Sequence, residues 1–449
     1  MDLLSPARLR ALSVAALLAL GLAACGDRDG EEDQDPPQSA TASDPSRAPD
    51  DSPAFSQAAL NALDARLQQL VDEDHRAGVV MMLARDGEIE HTSTAGFSNV
   101  AMGVPMSAYT PVRIASMTKP VTAAAVMMLV EDGAIALDDP VSDYIPAFAD
   151  ARVATALEVD ETYEIPTEPL DRPITLRDLL THTSGIGYIF DYETNLGALY
   201  ISEDIYQGGP DYTAAQRMET LAGLPLYFQP GERWRYSYAN DVLGHVIEVV
   251  TGDSLEAFMQ ARIFTPLGMD DTTFFPGDDL MARLATLYTH DDLGDMVPVE
   301  GADDAVRTAP FAAGGAGLIS TAADYMRFAQ MLSNGGQLDG ARVLSQASVD
   351  AMTARQVGLE KVPDDMADMD MAFGYSLGVI VDGPGDHPFR RVGDYGWGGY
   401  FDTSFVVSPA TGMVAVIMAQ EQPGASTPET TSARDVFEPL AYGALPTES

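Results

Sequence analysis

The stretch "RIASMTKPVTAAAVMM", residues 113–128, determines how this chain is interpreted. It contains Lys119, and the full sequence of 449 residues has only one other lysine, Lys361. Residues three apart lie on the same face of a helix, so a helix that begins at about Ser116 places the Lys119 amine one turn from the Ser116 hydroxyl. The spacing therefore predicts that these two side chains meet.

A serine that contacts a lysine can perform acyl transfer. The serine hydroxyl becomes an effective nucleophile when a base takes its proton, and a lysine is such a base where burial in an apolar site favours its neutral form. Arginine stays protonated up to about pH 12 and cannot take this role. The alternative is a solvated Lys119 beside a capping Ser116, because Ser-x-x-Lys alone is a weak pattern. Ser116 is thus a candidate nucleophile and Lys119 a candidate base.

A second polar element lies in "RWRYSYANDVLGHVIE", residues 233–248. The chain has 17 tyrosines, and only Tyr238 and Asn240 form a Tyr-x-Asn pair. A phenolic oxygen near Lys119 can carry protons, and a carboxamide can hold a substrate carbonyl or orient the lysine. The alternative is a turn that only caps the amphipathic helix that follows.

Composition narrows the class of protein. Apolar residues make up 46% of the chain and charged residues 21%, which is typical of a globular protein with two domains or one large composite domain. The formal net charge is -43, from 68 acidic and 25 basic residues. Such a charge repels nucleic acid and anionic membrane surfaces, so no nucleic-acid partner is expected, and it favours solubility in salty surroundings. The oligomeric state is not predictable from these numbers.

Residues 1–25 have the composition of an export signal. Arg8 and Arg10 precede the apolar run "ALSVAALLALGL", which is too short to span a bilayer but typical of a signal peptide. The run ends in "LAAC", Leu22 to Cys25, which resembles the bacterial lipoprotein signal and implies that Cys25 is lipidated. The alternative is an ordinary cleavable secretory signal. Cys25 is the only cysteine, so no intramolecular disulfide is possible.

The resemblance predicts an exported lipoprotein, with a membrane partner through the anchor at Cys25. Gly26 follows the cysteine instead of the aspartate that retains such proteins on the inner membrane, so an outer-membrane anchor facing the periplasm or the cell surface is expected. Residues 26–53 are acidic and rich in Pro and Ser, without apolar periodicity, and are predicted to be a disordered tether.

The remaining chain predicts an α+β fold, in which an antiparallel sheet is flanked by helices and carries a mostly helical insertion. "FSQAALNALDARLQQLVDEDH" is an amphipathic helix with Ser56 placed to cap it, and Asp86-Gly87 is a hairpin signal. Strands near the C-terminus and a helix within residues 428–442 complete the pattern. We expect a sheet domain at 54–140 and 305–442, a helical domain at 141–304 and a tail at 443–449.

Three motifs in order resemble those of class C serine β-lactamases, DD-peptidases and the related esterases of the β-lactamase fold. They are Ser116-Met117-Thr118-Lys119, Tyr238-Ala239-Asn240 and the later "GWGG". The sequences around these motifs, such as "ITLRDLLTHTSGI" and "GGAGLISTAADYMRFAQML", also resemble those of this family. The resemblance covers roughly residues 55 to 442. It implies a sheet flanked by helices, a helical domain and a cleft between them.

Carried over residue by residue, the resemblance implies a role for each motif. Ser116 is the acyl-forming nucleophile and Lys119 its proton acceptor. Tyr238 relays protons to the leaving group and activates the deacylating water, with its share of the work relative to Lys119 left open. Asn240 contacts Lys119 or a substrate carbonyl. The oxyanion hole consists of the backbone N–H groups of Ser116 and Tyr400.

The third motif departs from the β-lactamase pattern. Where β-lactamases and DD-peptidases have Lys-Thr-Gly, this chain has Trp397, Gly398 and Gly399, as esterases of this fold do. Loss of a charge-assisted hydrogen bond to a substrate carboxylate costs about 1.5–3 kcal/mol, so anionic substrates are disfavoured by roughly ten- to a hundredfold. The alternative role for Trp397 is packing in the core, and Arg390 and Arg391, just upstream, are candidates for restoring a cation.

The sequence therefore predicts a serine hydrolase, with a carboxylesterase acting on small neutral acyl esters favoured. A β-lactamase or D-amino-acid peptidase is the alternative, and an inactive binding or sensor protein of the same fold is a further one. The expected partner is a small-molecule ester or amide. No cofactor or metal is expected, because the six histidines lack metal-binding spacing. Ser376 in "GYSLG" and His182 are not expected to react, since a strand follows the former and the latter resembles a structural loop.

Overall fold

The computed structural model describes residues 55–158, 165–209, 211–383, 389–423 and 433–446. The predicted signal, Cys25 and the predicted tether lie outside these residues. The strands are β1 (Gly78–Arg85), β2 (Glu88–Asn99), β3 (Val104–Pro105), β4 (Val112–Arg113), β5 (Arg152–Ala154), β6 (Thr167–Pro169), β7 (Tyr288–His290), β8 (Met296–Pro298), β9 (Ile319–Ser320), β10 (Gln337–Leu338), β11 (Ala341–Arg342), β12 (Met371–Phe373), β13 (Gly378–Ile380), β14 (Tyr395–Gly399), β15 (Thr403–Ser408) and β16 (Met413–Ala419).

Helices occupy much of the chain between these strands. They are α1 (Gln57–Asp72), α2 (Thr118–Glu131), α3 (Leu176–Leu180), α4 (Asn195–Ser202), α5 (Ala214–Gly223), α6 (Ala239–Thr251), α7 (Leu255–Met259), α8 (Thr265–Leu267), α9 (Asp278–Arg283), α10 (Ala302–Arg307), α11 (Ala322–Ser333), α12 (Gln346–Thr353), α13 (Asp364–Asp368) and α14 (Ala433–Gly443). Short 3₁₀ turns lie at Ala115–Met117, Val141–Asp143 and Pro146–Asp150, and a π turn lies at Gln260–Phe264.

An eight-stranded antiparallel sheet is assembled from both ends of the chain, which confirms the predicted fold class. Its order is β12-β13-β14-β15-β16-β1-β2-β3, so β1 lies between its sequence neighbour β2 and the distant β16. Val80, for example, is paired with Thr94 on one side and with Met418 on the other. β16 is apolar throughout and β1 is apolar up to its last residue, Arg85, because both faces of these strands are covered.

The two faces of the sheet belong to two different apolar cores. Val79, Met81 and Leu83 of β1 pack in the core that contains α1 and α14. Val80 and Met82, which point the other way along the pleat, pack in the larger core with α2, α6 and α11. Ser116 precedes α2, so the candidate site lies on the face opposite the terminal helices.

The sequence-predicted hairpin and final helix are present. Asp86 and Gly87 join β1 to β2, with φ of 50° and 91°, the left-handed conformations that a tight hairpin turn requires. α14 covers the place of the predicted last helix. Ser56 does occupy the N-cap position of α1, but its side chain makes no capping hydrogen bond, and its N–H instead donates to the Ala444 carbonyl at 2.7 Å. The described ends of the chain are therefore in contact.

The region between residues 141 and 304 contains α3 to α10 and two small hairpins, β5–β6 and β7–β8. The hairpins were not expected from the sequence, whose helical periodicity dominates there. The proposed domain boundaries stay predictions. Of the helices that the structure describes, none has the length and apolar character needed to cross a membrane.

Candidate active site

Ser116 is the one residue between positions 110 and 129 that is not fully buried. It lies in the 3₁₀ turn Ala115–Met117, which connects β4 to α2. The predicted α-helix thus begins two residues later than expected, at Thr118. Ala115 has a φ of 43°, a left-handed conformation that is unfavourable for alanine. Strained backbone therefore directly precedes the only side chain of this stretch that reaches solvent.

Lys119 contacts Ser116, as the spacing predicts. Its side chain is fully buried, and Nζ lies 3.4 Å from Ser116 Oγ and 2.7 Å from the Gly315 carbonyl oxygen. The amine also faces two aromatic rings, with Nζ 4.4 Å from the centroid of Tyr236 and 5.4 Å from that of Tyr188. Lys119 is therefore held in a largely apolar cage with its proton-accepting nitrogen next to the hydroxyl.

A glycine-rich segment holds the first turns of α2 in place. The carbonyl of Gly315 accepts from Lys119, and that of Gly314 accepts from Thr122 Oγ1 at 2.7 Å. A Cβ on Gly314 would lie 2.5 Å from the main-chain oxygen of Asn240, so no larger residue fits between α2 and α6. These glycines allow the backbone to approach the lysine closely.

The structure does not bring Tyr238 to the Ser116–Lys119 pair, so this prediction is wrong. Tyr238 is fully buried at the N-cap of α6, and its hydroxyl donates to Asp204 Oδ1 at 2.6 Å. Burial and the adjacent Asp204 carboxylate raise the pKa of Tyr238 well above its usual range. A phenol that is enclosed in the core and bonded to a carboxylate has no access to substrate.

Tyr236, two residues earlier, occupies the position that the prediction gave to Tyr238. It is half-buried, its ring faces Lys119, and its hydroxyl is 3.5 Å from Trp397 Nε1. The sequence contained a signal for this assignment, because Tyr238 and Val242 are four residues apart and continue the buried face of α6. Tyr236 precedes the helix and is free to point into the cleft.

Asn240 does contact Lys119, but through the backbone. Its Nδ2 donates to the Lys119 main-chain oxygen at 3.3 Å and to Ser376 Oγ at 2.9 Å. Because Asn240 is fully buried, it joins α6 to α2 and does not reach a substrate carbonyl. Of the two alternatives that were predicted for Asn240, the structure thus shows the contact with Lys119.

The third motif lies beside the serine. A Cβ on Gly399 would be 2.3 Å from the Ile114 carbonyl oxygen, so glycine lets the end of β14 touch the turn that carries Ser116. Gly398 and Gly399 are paired with Ser404 and Thr403 in the ladder, and Tyr400, which follows the strand, begins the turn to β15. This placement suits the predicted oxyanion role of the Ser116 and Tyr400 N–H groups, which stays a prediction.

Trp397 points to the same side of the sheet as Ser116. It is paired with Phe405, whose side chain belongs to the core around α2 and α11, and paired residues of an antiparallel ladder share a face. Its ring lies 5.9 Å from Tyr236 and 5.3 Å from Phe373. Trp397 is partly exposed, so it both packs against these rings and presents an apolar surface near the catalytic pair.

Aromatic side chains extend this surface outwards. Phe190 is stacked on Tyr400, with ring centroids 6.0 Å apart and planes at 24°, and is nearly parallel to Tyr236 at 6.5 Å. Phe190 is 48% exposed and Tyr400 41%. Large aromatic surfaces that remain in contact with water beside a nucleophile are suited to binding an apolar part of a substrate.

The family model described as Beta-lactamase matches residues 63–436, which is most of the chain. This chain belongs to the β-lactamase family. Family membership, together with the Ser116–Lys119 pair, identifies it as a serine hydrolase, since members of this family act through an acyl-enzyme.

Several relatives of this β-lactamase family member carry esterase names. It is 34% identical over 394 residues to Esterase EstB from Burkholderia gladioli, covering 83% of this chain and 93% of that protein. It is 33% identical over 349 residues to Lovastatin esterase from Penicillium rubens, covering 75% and 82%. A solved structure of EstCE1, a hydrolase with promiscuous acyltransferase activity, is similar with a TM-score of 0.72 at 25% identity, covering 86% of this chain and 99% of that one.

The two other candidates from the sequence have structural positions in this β-lactamase fold. His182 is fully buried, its Nδ1 is 2.8 Å from Ser237 Oγ, and its ring packs 5.0 Å from that of Tyr236. Burial and the nearby Lys119 hold the pKa of His182 well below its usual value, so the ring stays neutral. Ser376 is also fully buried and is followed by β13 rather than a helix.

Arg390, one of the two arginines that the sequence offered as a replacement cation, lies away from Ser116. Arg390 Nε donates to Glu438 Oε2 at 2.8 Å, and because Glu438 belongs to α14, this arginine lies on the opposite face of the sheet from Ser116. Arg390 therefore does not replace the missing lysine of the third motif. Within the ranges that the structure describes, no group of three or more His, Cys, Asp or Glu side chains is arranged to hold a metal ion.

Proposed function

We propose that this protein is a carboxylesterase that hydrolyses small neutral acyl esters through an acyl-enzyme on Ser116. The observation that carries the proposal is Trp397, which stands on the cleft side of β14 where a lysine would bind a substrate carboxylate. The exposed rings of Phe190 and Tyr400 add apolar surface. The esterase names of relatives at 33–34% identity point the same way.

In the acylation step, Ser116 Oγ attacks the ester carbonyl carbon while its proton passes to Lys119 Nζ, 3.4 Å away. The carbonyl oxygen becomes an oxyanion, for which the N–H groups of Ser116 and Tyr400 are the proposed donors. The bond from carbon to the alcohol oxygen then breaks, and Tyr236 delivers a proton to the departing alcohol.

Deacylation repeats these steps with water as the nucleophile. Water attacks the acyl carbon, and its proton passes through Tyr236 and Lys119 to Ser116 Oγ as the bond from the acyl carbon to that oxygen breaks. This step releases the carboxylic acid and restores the serine hydroxyl. The ring of Tyr236 lies over the Lys119 amine at 4.4 Å, which supports a shared role in moving protons between Ser116, the leaving group and water.

A β-lactamase or D-amino-acid peptidase is less well supported. These substrates carry a carboxylate, and an indole ring cannot donate the charge-assisted hydrogen bond that a lysine would. The binding-protein alternative is less well supported as well, because a pure binder has no use for a buried lysine held against a serine.

The deciding experiment measures initial rates on p-nitrophenyl butyrate for the chain from Asp51 onward and for its Ser116→Ala variant. We expect turnover in the parent protein and its loss in the variant. A carboxylate-bearing β-lactam serves as the second substrate. Turnover of the β-lactam but not the ester would replace the proposal with a β-lactamase, and no turnover of either would favour a binding protein.

We also propose that the protein is an exported lipoprotein anchored in the outer membrane through Cys25. The support is the order of basic residues, apolar run and Leu22–Cys25 tetrad in the sequence. Expression of the full chain in a bacterial host with an alkyne fatty acid would label the protein, and Cys25→Ser would abolish the label. An unlabelled, secreted parent protein would indicate an ordinary signal peptide.

A further inference from the structure

The Gly315 peptide connects Lys119 to a buried carboxylate. Its carbonyl oxygen accepts from Lys119 Nζ at 2.7 Å, and its N–H donates to Asp241 Oδ1 at 3.1 Å. A Cβ on Gly315 would lie 2.5 Å from Asp241 Oδ2, so the two groups meet only because this residue is glycine. A single peptide group therefore lies between the candidate base and the carboxylate.

The Asp241 side chain is only 2% exposed and lies in the core, away from the cleft. Its other oxygen accepts from Tyr206 at 2.9 Å, and the Tyr206 hydroxyl is 3.2 Å from that of Tyr188. Burial raises the pKa of Asp241 to about 6, while the positive charge of Lys119 opposes this shift. Burial of this ionisable carboxylate costs the folded state free energy. A neutral side chain could accept the same hydrogen bonds without that cost.

Other ionisable groups face this carboxylate from each neighbouring element. Lys119 faces it from α2, and Tyr206 and Tyr188 face it from the loops that precede α5 and α4. Tyr238 lies on its own element and is bonded to Asp204. Burial raises the pKa values of the three tyrosines, which therefore stay neutral. Asp241 and Lys119 are therefore the two charged groups that the Gly315 peptide links, whereas Asp204 bonds to Tyr238 instead.

We propose that Asp241 is a positioning residue of the reaction, which fixes the Gly315 peptide that holds Lys119 and places a negative charge behind that peptide that moves the acidic limit of the reaction to higher pH. The inference rests on the proposed role of Ser116 and Lys119 in acyl transfer. A nearby negative charge stabilises the protonated amine, so an ionised Asp241 moves the onset of activity to higher pH. The ordered peptide in turn keeps Nζ directed at Ser116 Oγ.

The test follows Ser116 with two reagents as a function of pH. One is p-nitrophenyl butyrate, and the other is a neutral fluorophosphonate, whose covalent attachment is measured by intact mass and does not depend on the natural substrate. Both are applied from about pH 5 to about pH 10 to the parent protein, to Asp241→Asn and to the matched control Asp204→Asn. Asn has the size of Asp and can still accept from the Gly315 N–H.

In Asp241→Asn we expect the acidic limb of both rate profiles, where the rate rises with pH, to move to lower pH by about one unit, because the negative charge behind the Gly315 peptide has been removed. The plateau should fall by about fivefold, since a neutral acceptor orders the Gly315 peptide less firmly. Asp204→Asn should leave the limb in place, because Asp204 bonds to Tyr238 rather than to Gly315. A merely structural Asp241 would lower the rates without moving the limb.

The outcomes separate this inference from the proposed function. A limb that does not move in a folded Asp241→Asn protein overturns the inference even if the ester is hydrolysed. A moved limb in fluorophosphonate labelling without any ester turnover supports the inference and rejects the ester. Absence of labelling in the parent protein rejects both. If Asp241→Asn does not fold, Tyr206→Phe removes a donor to the carboxylate and should shift the limb in the same direction by less; an unmoved limb there also overturns the inference.

Discussion

At the scale of single residues, two tyrosines that are two positions apart have different environments. Tyr236 precedes α6 and turns its ring towards Lys119, whereas Tyr238 caps the helix and is enclosed beside Asp204. The sequence pair Tyr-x-Asn directed attention to the second tyrosine. The chemistry depends on which ring reaches the cleft, and this is decided by where the helix begins.

Substitution of each tyrosine by phenylalanine distinguishes their roles. Tyr236→Phe removes the proposed proton carrier and should lower kcat/KM on p-nitrophenyl butyrate by at least about a hundredfold. Tyr238→Phe should change kcat/KM by less than about fivefold but lower the melting temperature, because Asp204 loses its donor, at a cost of about 1–3 kcal/mol. A reversed pattern of kcat/KM losses would return the catalytic role to Tyr238.

Asp241 makes a pH-dependent contribution to stability. Its pKa is raised to about 6 in the folded protein, so the stability that it contributes is fully present below its ordinary value near 3.8 and is lost as pH rises through about 6. The full loss corresponds to ~3 kcal/mol. The melting temperature of Asp241→Asn relative to the parent protein should therefore increase from about pH 4 to about pH 7. A difference that stays constant across this range would contradict the buried, ionising carboxylate.

At the scale of secondary-structure elements, the strand β14 carries the feature that separates this chain from carboxylate-binding relatives. Its last residue, Gly399, touches the turn of Ser116, and Trp397 faces the cleft beside Tyr236. The strand thus joins the turn that carries Ser116 to the aromatic surface around Tyr236.

Trp397→Lys tests this interpretation of β14. We expect the variant to hydrolyse a carboxylate-bearing β-lactam about ten- to a hundredfold faster than the parent protein, because a charge-assisted hydrogen bond is restored. Ester turnover should fall as the indole surface is lost. Trp397→Phe, which keeps an apolar ring, is the matched control and should retain ester turnover. If ester turnover falls without any gain on the β-lactam, our interpretation of the third motif is wrong.

The elements themselves were largely predictable from the sequence, and the contacts between them were not. The Asp86-Gly87 turn, the continuous apolar strands and the helical spacing of Ser116 and Lys119 are local patterns. By contrast, Tyr238 meets a carboxylate 34 residues away, and the Gly315 N–H meets Asp241 across 74 residues. Such pairings depend on how α6 and the loops pack, which no local pattern contains. The sequence therefore predicted the contact between Ser116 and Lys119 and missed the groups that surround it.

At the scale of the whole molecule, the dominant property is the net charge of -43. Basic groups are few, and several of them are used inside the fold. Arg76, for example, is 3% exposed and lies 3.0 Å from Glu421. The chain has 68 acidic residues and only 25 basic ones, so most carboxylates cannot each be paired with a basic side chain. Repulsion among these carboxylates opposes the compact state.

Salt should therefore stabilise this protein. Ions screen the mutual repulsion of exposed carboxylates more than they weaken buried pairs such as Arg76–Glu421. We expect the melting temperature to rise between about 0.01 M and about 1 M NaCl, with little change in kcat on a neutral ester. Thermal unfolding followed in a series of NaCl and KCl concentrations, without denaturant, would measure this change in melting temperature. A melting temperature that falls or stays level would show that the acidic surface does not limit stability.

The place of β1 between β2 and β16 has a consequence for how the chain acquires its structure. The first hairpin is made early, but its open edge waits for a partner more than 300 residues downstream, at Met413–Ala419. Until that segment has been synthesised, the apolar strand β1 has an unpaired edge, which favours aggregation. Pairing of two strands that are so far apart in the sequence is also slow. We therefore expect the sheet to form only after the complete chain has been released. A chain that stays unfolded until then is in the state that an export channel can carry.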